Sequence, residues 1–146
     1  MFTKPKNGWT DILLGDFEGL GSYIQDVPVE TMEACILALR KDQPIELHFD
    51  EEGSAFTLTA SDETKIIAQG YYGPEEYDVK LSRDDLAKEI CADMEAYFED
   101  WVEWPEEYAY FEDDEAEAKQ AFYEERVIVL KTLLEEFKAA IKASIG

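Results

Sequence analysis

Few residues of this chain combine the types and the spacing that catalysis requires. His48 is the only histidine among 146 residues, and it stands on the polar side of a predicted strand, where a histidine is most often simply solvated. Cys35 and Cys91 have no Lys, Arg or His adjacent in the sequence to lower the pKa of the thiol. We therefore expect no catalytic residues, no enzymatic activity and two reduced cysteines in the core.

Carboxylates are abundant, but their spacing matches no ligand motif. The run EDDEAE at residues 112–117 would attract Ca²⁺ or Mg²⁺ by charge, yet it lacks the spaced ligands and the central glycine of an EF-hand loop. The stretch GDFEGLG lacks the spacing of a dinucleotide-binding loop and no lysine follows it, so we interpret its glycines, at positions 15, 19 and 21, as turn residues. We expect neither a metal nor a cofactor, and only a deep pocket around carboxylates would favour an enzyme.

The most unusual stretch is residues 93–117, called the acidic segment below. It contains twelve carboxylates and seven aromatic rings but no Lys or Arg, a combination suited to attracting a basic partner and contacting it with rings. Three rings have the spacing of the apolar stripe of a helix and are expected in the core: Tyr97, Phe98 and Trp101. Three others follow Pro105 in a connection, where rings have less reason to be buried: Tyr108, Tyr110 and Phe111.

The acidic segment supplies the candidate residues for binding a basic protein. The carboxylates expected to pair with Lys and Arg of the partner are Glu99, Asp100, Glu103, Glu106, Glu107, Glu112, Asp113 and Asp114. The rings expected to provide contact area are Trp104, Tyr108 and Tyr110.

Composition narrows the partner classes. The net charge is −22, so direct binding to nucleic acid or to an anionic membrane is disfavoured. Hydrophobic residues make up 46% of the chain, which is enough for a folded core, and the length fits a single domain covering residues 1–146. MFTKPKNGW has no apolar run typical of a signal peptide, so we expect a cytoplasmic location.

Apolar periodicity predicts an antiparallel sheet in the first half of the chain. Strands are predicted at residues 9–14 and, after the glycine-rich connection, at 22–27. Residues 45–60 alternate apolar and polar side chains on both sides of EEGS and predict a hairpin, which strands at 65–72 and 77–81 extend.

Three helices are predicted around this sheet. A short one begins at Pro28 and ends before Pro44; a second, with Ser82 as its cap, continues to Pro105; and the last covers about 114–144. Its predicted apolar face consists of Phe122, Val129, Leu130, Leu133, Phe137, Ala140 and Ile141. The fold class is therefore α+β, with an antiparallel sheet of about four to six strands packed against a short N-terminal helix and two long C-terminal helices.

In overall character, a small acidic α+β chain with an anionic, aromatic-rich segment and no catalytic constellation resembles the immunity proteins of bacterial toxin systems. The resemblance covers the general composition of the chain and includes no diagnostic motif. It implies a protein, monomeric or homodimeric, that neutralises a basic toxin, often a nuclease, by covering its functional surface. Two alternatives remain: a DNA mimic that occupies a DNA-binding protein, and a structural or regulatory domain whose charge only keeps it soluble.

Overall fold

A computed structural model describes residues 1–107 and 111–145 and confirms the α+β class. The strands are β1 (Trp9–Leu14), β2 (Phe17–Ser22), β3 (Ile45–Asp50), β4 (Ala55–Ala60), β5 (Thr64–Gly70) and β6 (Gly73–Val79). The helices are α1 (Val27–Lys41), α2 (Arg83–Ala96), α3 (Phe98–Val102) and α4 (Ala116–Ile145), with a 3₁₀ helix at Trp104–Glu107.

Strands β3 to β6 form an antiparallel sheet in sequence order, and the predicted hairpin at 45–60 is confirmed as β3 and β4. The register aligns Phe49, Phe56 and Ala68 in one row of the face that is turned to the core. Alternate residues such as His48 and Thr57 are exposed on the opposite face, as is common for antiparallel sheets. The sheet therefore has one covered and one open face.

The prediction of a strand at residues 22–27 is wrong. The second strand is β2, which pairs with β1 in a separate hairpin and contains two of the glycines interpreted as turn residues. At Gly19 a Cβ atom would lie 2.7 Å from the ring of Phe56, so glycine is needed for the hairpin to approach the four-stranded sheet. Phe17 packs beside it, with its ring centroid 4.7 Å from that of Phe56.

Helix α1 confirms the predicted short helix. Pro28 lies in its first turn, where backbone N–H groups form no intrahelical hydrogen bond, so the N–H that proline lacks is not needed. Its buried side chains include Met32, Cys35, Ile36 and Leu39, which lie in the core between α4 and the edge strand β3.

The second predicted helix is two helices. The backbone N–H of Asp85 donates to Ser82 Oγ at 3.2 Å, as the capping sequence predicts, but α2 ends at Ala96 and α3 begins after a break at Tyr97. The break places the indole N–H of Trp101 3.3 Å from the carbonyl of Asp93, back along the preceding helix. The ring thereby enters the core instead of continuing along a straight helix face.

Helix α4 is confirmed, but part of its predicted apolar face is wrong. Its buried residues are Arg126, Leu130, Leu134, Phe137 and Ala140, whereas Phe122 and Val129 remain 36% and 38% exposed. Phe122 lies near the start of α4, before its first buried residue, and Val129 lies beside the buried row formed by Arg126, Leu130, Leu134 and Phe137 instead of on it.

The N-terminal residues are fastened to α2. The ammonium group of Met1 lies 2.7 Å from Glu89 and 3.0 Å from Asp93, and the Phe2 ring packs 5.5 Å from that of Trp101. Burial lowers the pKa of the Met1 ammonium, but its bonds to the two carboxylates and their charges raise it by more, so the pKa lies above the usual 8.0.

Candidate binding surface

Most described rings of the acidic segment lie in or against the core. Trp101 and Trp104 are 1% and 2% exposed, and their ring centroids are 5.4 Å apart. Tyr97 and Phe98 are half-buried against the same core, as their spacing predicts. Phe111 is half-buried too, with its ring centroid 5.7 Å from that of Phe122.

The prediction that Trp104 provides contact area for a partner is wrong. Its indole N–H donates to the carbonyl of Gln25 at 2.8 Å, and its ring fills space beside Trp101. A short 3₁₀ helix after α3 turns this side chain inward, although its acidic neighbours made it look like a surface residue. Tyr108 and Tyr110 lie outside the described residues.

The carboxylates of the acidic segment are placed at the surface. Those with exposed side chains are Glu99, Glu103, Glu112, Asp113 and Asp114, and Asp100 is half-buried. Within residues 1–107 and 111–145 none of these six carboxylates forms an ion pair. Glu106 and Glu107 belong to the 3₁₀ helix at Trp104–Glu107.

Arg126 holds the elements that carry these carboxylates. Its guanidinium forms a bidentate pair with Asp26, at 2.9 and 3.0 Å, and donates to the carbonyls of Trp101 and Val102. Those carbonyls belong to the last residues of α3, where a helix leaves acceptors without intrahelical donors. One buried side chain thus joins α4, the end of α3 and the start of α1.

Gln25 connects this region to the sheet. Its side-chain amide donates to the carbonyl of His48 and accepts from the backbone N–H of Asp50, so it binds the free edge of β3. Asp50 precedes the β3–β4 turn at residues 51–54, and the β5–β6 turn lies at the same end of the sheet because successive strands are antiparallel. We call this part of the molecule, comprising residues 50–54, 70–76, 97–107 and 111–117, the acidic end.

Lys and Arg residues are more frequent at the opposite end of the molecule. There Arg83 lies 3.0 Å from Asp42 and its backbone N–H donates to Ser61, while Ser144 donates to the carbonyl of Leu39. Six of the 13 Lys and Arg residues lie at or near the element ends that meet there, namely Arg40, Lys41, Lys65, Lys80, Arg83 and Lys142, and they are interspersed with Asp42, Asp62, Glu63, Asp84 and Asp85. At the acidic end, Lys6 shares a cleft of about 70 Å³ with Asp100 and Glu103, and Lys119 follows the carboxylates of 112–117.

Two exposed rings at the acidic end are absent from the residues singled out by sequence. Tyr71 and Tyr72 form the β5–β6 turn and are 92% and 95% exposed. The sequence interpretation included them in a strand at 65–72. The available signal was their position between Gly70 and Gly73, because two residues flanked by glycines are typical of a tight hairpin turn.

The cysteines are buried, and two of the carboxylates in the cleft near Arg83 are ion-paired. Both cysteines are buried free thiols, as expected, and burial raises the pKa of Cys35 and of Cys91. Among the described residues no group of three His, Cys, Asp or Glu side chains is arranged to hold a metal ion. A cleft of about 290 Å³ beside Arg83 contains carboxylates, but Asp42 and Asp84 there are ion-paired with the arginine.

Comparison with family models, curated protein sequences and solved structures finds no match to this chain. None of the helices within the described part of the chain has the length and apolar composition needed to cross a membrane.

Proposed function

We propose that this chain is a binding protein for a basic protein partner and acts in the manner of an immunity protein that neutralises a basic toxin. The observation that supports the proposal best is the uneven distribution of charge. Five exposed carboxylates of the acidic segment have no ion-pair partner among the described residues, whereas Lys and Arg are more frequent at the other end. Carboxylates that are already solvent-exposed and unpaired are available to Lys and Arg of a partner.

The expected strength of these ion pairs shows whether the acidic end would contribute mainly to the affinity or to the association rate. Each exposed ion pair is worth about 0.2–1 kcal/mol, so five give a few kcal/mol at low salt and less at physiological salt. A single-sign surface has a larger effect on the association rate, which it raises by roughly ten- to a thousandfold. The acidic end therefore mainly accelerates association with the partner in a salt-dependent way, and a high affinity requires further contacts.

The experiment compares two variants with the same change in charge. In the first, five exposed carboxylates of the acidic segment are reversed: E99K, E103K, E112K, D113K and D114K. In the second, five exposed carboxylates away from it are reversed: E46K, D62K, E63K, D78K and E135K. The partner is the basic protein that co-purifies with the wild-type chain from its own cells and whose toxicity co-expression suppresses.

The first variant is expected to bind the purified partner at least tenfold more weakly at 50 mM salt, with a flatter dependence of Kd on salt. The second should weaken binding less than threefold, because its changes lie away from the proposed surface. Equal effects of the two variants would refute a localised surface. A DNA mimic would instead prevent several unrelated DNA-binding proteins from binding duplex DNA, and inhibition of that breadth would replace the immunity proposal.

A further inference from the structure

The β5–β6 turn presents two tyrosine rings to solvent. Within the described residues no other large apolar or aromatic side chain is as exposed as Tyr71 and Tyr72, and the next is Ile128 at 60%. The two rings contact each other edge to face with centroids 4.8 Å apart. Neither ring covers the core of this chain, so packing does not explain why aromatic residues occupy the turn.

The turn has a backbone conformation that requires glycine on both sides of these rings. At Gly70 a Cβ atom would lie 2.6 Å from the carbonyl oxygen of Gly73, and Gly73 itself has a φ of +124°, a value that other residues rarely adopt. The backbone of the turn therefore depends on both glycines. A tyrosine has only two side-chain torsions to order on binding, which keeps the entropic cost of burying each ring low.

The charge around the turn indicates the chemical class of the partner. Glu75 and Glu76 follow it in β6, and Glu51 and Glu52 lie in the neighbouring β3–β4 turn at the same end of the sheet. This negative charge opposes contact with nucleic acid, with an anionic membrane or with the acidic end of a second copy. A protein with a concave site bordered by Lys and Arg matches both features, because the cavity accommodates the two rings and the cations attract the carboxylates around them.

We propose that the Tyr71–Tyr72 turn inserts into a concave, basic-rimmed site of a protein partner and supplies the main apolar contact of the complex. Two tyrosines offer roughly 300–500 Å² of contact area, about half of the roughly 800 Å² that each partner buries in a standard interface. The turn thus needs additional contacts, and the carboxylates of the acidic end are placed to provide them. This inference rests on the proposed function in one respect, namely that the partner is basic.

The first test locates the contact. Tyr71 is replaced by the photoreactive residue p-benzoylphenylalanine, and the matched control carries it at Thr57, which is exposed on the open face of the same sheet. Irradiation in lysate of the source cells is expected to cross-link one protein from position 71 and not from position 57. Equal cross-linking from both positions, or none from position 71, would overturn the proposal.

The second test uses that protein after expression and purification. Y71A/Y72A should raise its Kd at least tenfold at both 50 and 500 mM salt, whereas Y71F/Y72F, which keeps the rings, should change the Kd less than threefold. Poly-L-lysine, which has charge but no cavity, should bind wild type and Y71A/Y72A equally. An unchanged Kd for Y71A/Y72A with the purified protein would refute the insertion.

The two proposals fail separately in these assays. If reversal of the acidic-end carboxylates leaves the Kd for the purified protein unchanged while Y71A/Y72A raises it, the acidic surface is wrong and the turn contact stands. If the charge reversals weaken binding and Y71A/Y72A does not, the turn contact is wrong and the acidic surface stands.

Discussion

At the scale of single residues, Arg126 has the most specific role that the structure assigns. Its side chain is 8% exposed and bridges three elements through Asp26 and the carbonyls that end α3. Replacing it with alanine would leave those carbonyls and the Asp26 carboxylate without their donor. We expect R126A to lower the free energy of unfolding by about 3 kcal/mol, near the lower limit for a broken buried pair because Asp26 is partly exposed.

Urea denaturation followed by circular dichroism measures this loss. K131A, which removes an exposed cation from the same helix, should shift the free energy of unfolding by no more than about 0.5 kcal/mol. If R126A is as stable as K131A, Arg126 does not join the elements as described.

At the scale of elements, the β1–β2 hairpin depends on the absence of a side chain at Gly19. A methyl group there would lie 2.7 Å from the Phe56 ring and 2.8 Å from that of Phe17, and Phe56 also stacks on Phe49 at 5.0 Å. The Phe17 and Phe56 rings are both buried, so moving either of them disturbs its packing in the core. G19A is therefore expected to destabilise the fold by about 1–3 kcal/mol, the usual cost of overpacking.

The control for G19A is E18Q, which changes the adjacent residue on the exposed side of the same strand. Its midpoint of thermal unfolding should remain near that of wild type, whereas G19A should lower the midpoint by several degrees. A wild-type midpoint for G19A would mean that the hairpin does not lie directly on the sheet.

Elements determined by local rules were predictable from sequence. Alternation over residues 45–60, Pro28 at a helix start and the Ser82 cap all depend on neighbours within a few positions. Strand β2 was missed because Gly19 is required by a ring 37 residues away in the chain, and nothing local distinguishes a packing glycine from a turn glycine. The break at Tyr97 likewise depends on contacts that α3 makes with Arg126 and with the core.

The candidate surface was predicted only in part for the same reason. Charge is a property of composition, so the carboxylates at 99, 103 and 112–114 could be assigned to the surface, where the structure places them. Burial of a ring depends on the tertiary path of the chain. Trp104 was therefore assigned to the surface although it is buried, and Tyr71 was assigned to a strand although it is fully exposed in a turn.

At the scale of the whole molecule, the net charge of −22 opposes the compact state. Raising NaCl from 50 to 500 mM should therefore increase the free energy of unfolding measured in urea, which does not itself screen charge. E112Q/D113N/D114N should show a smaller increase, because fewer repulsions remain to be screened. A decrease in wild-type stability with salt would contradict this expectation.

The separation of the acidic end from the Arg83 side also has a consequence for motion in solution. It gives the molecule a permanent electric dipole, and a dipole in the field of a charged body experiences a torque. Orientation is the main restriction on protein association, which it reduces from roughly 10⁹ to about 10⁵–10⁷ M⁻¹s⁻¹. Near a cationic body the molecule is therefore expected to spend more time with its acidic end turned toward that body than with its Arg83 side.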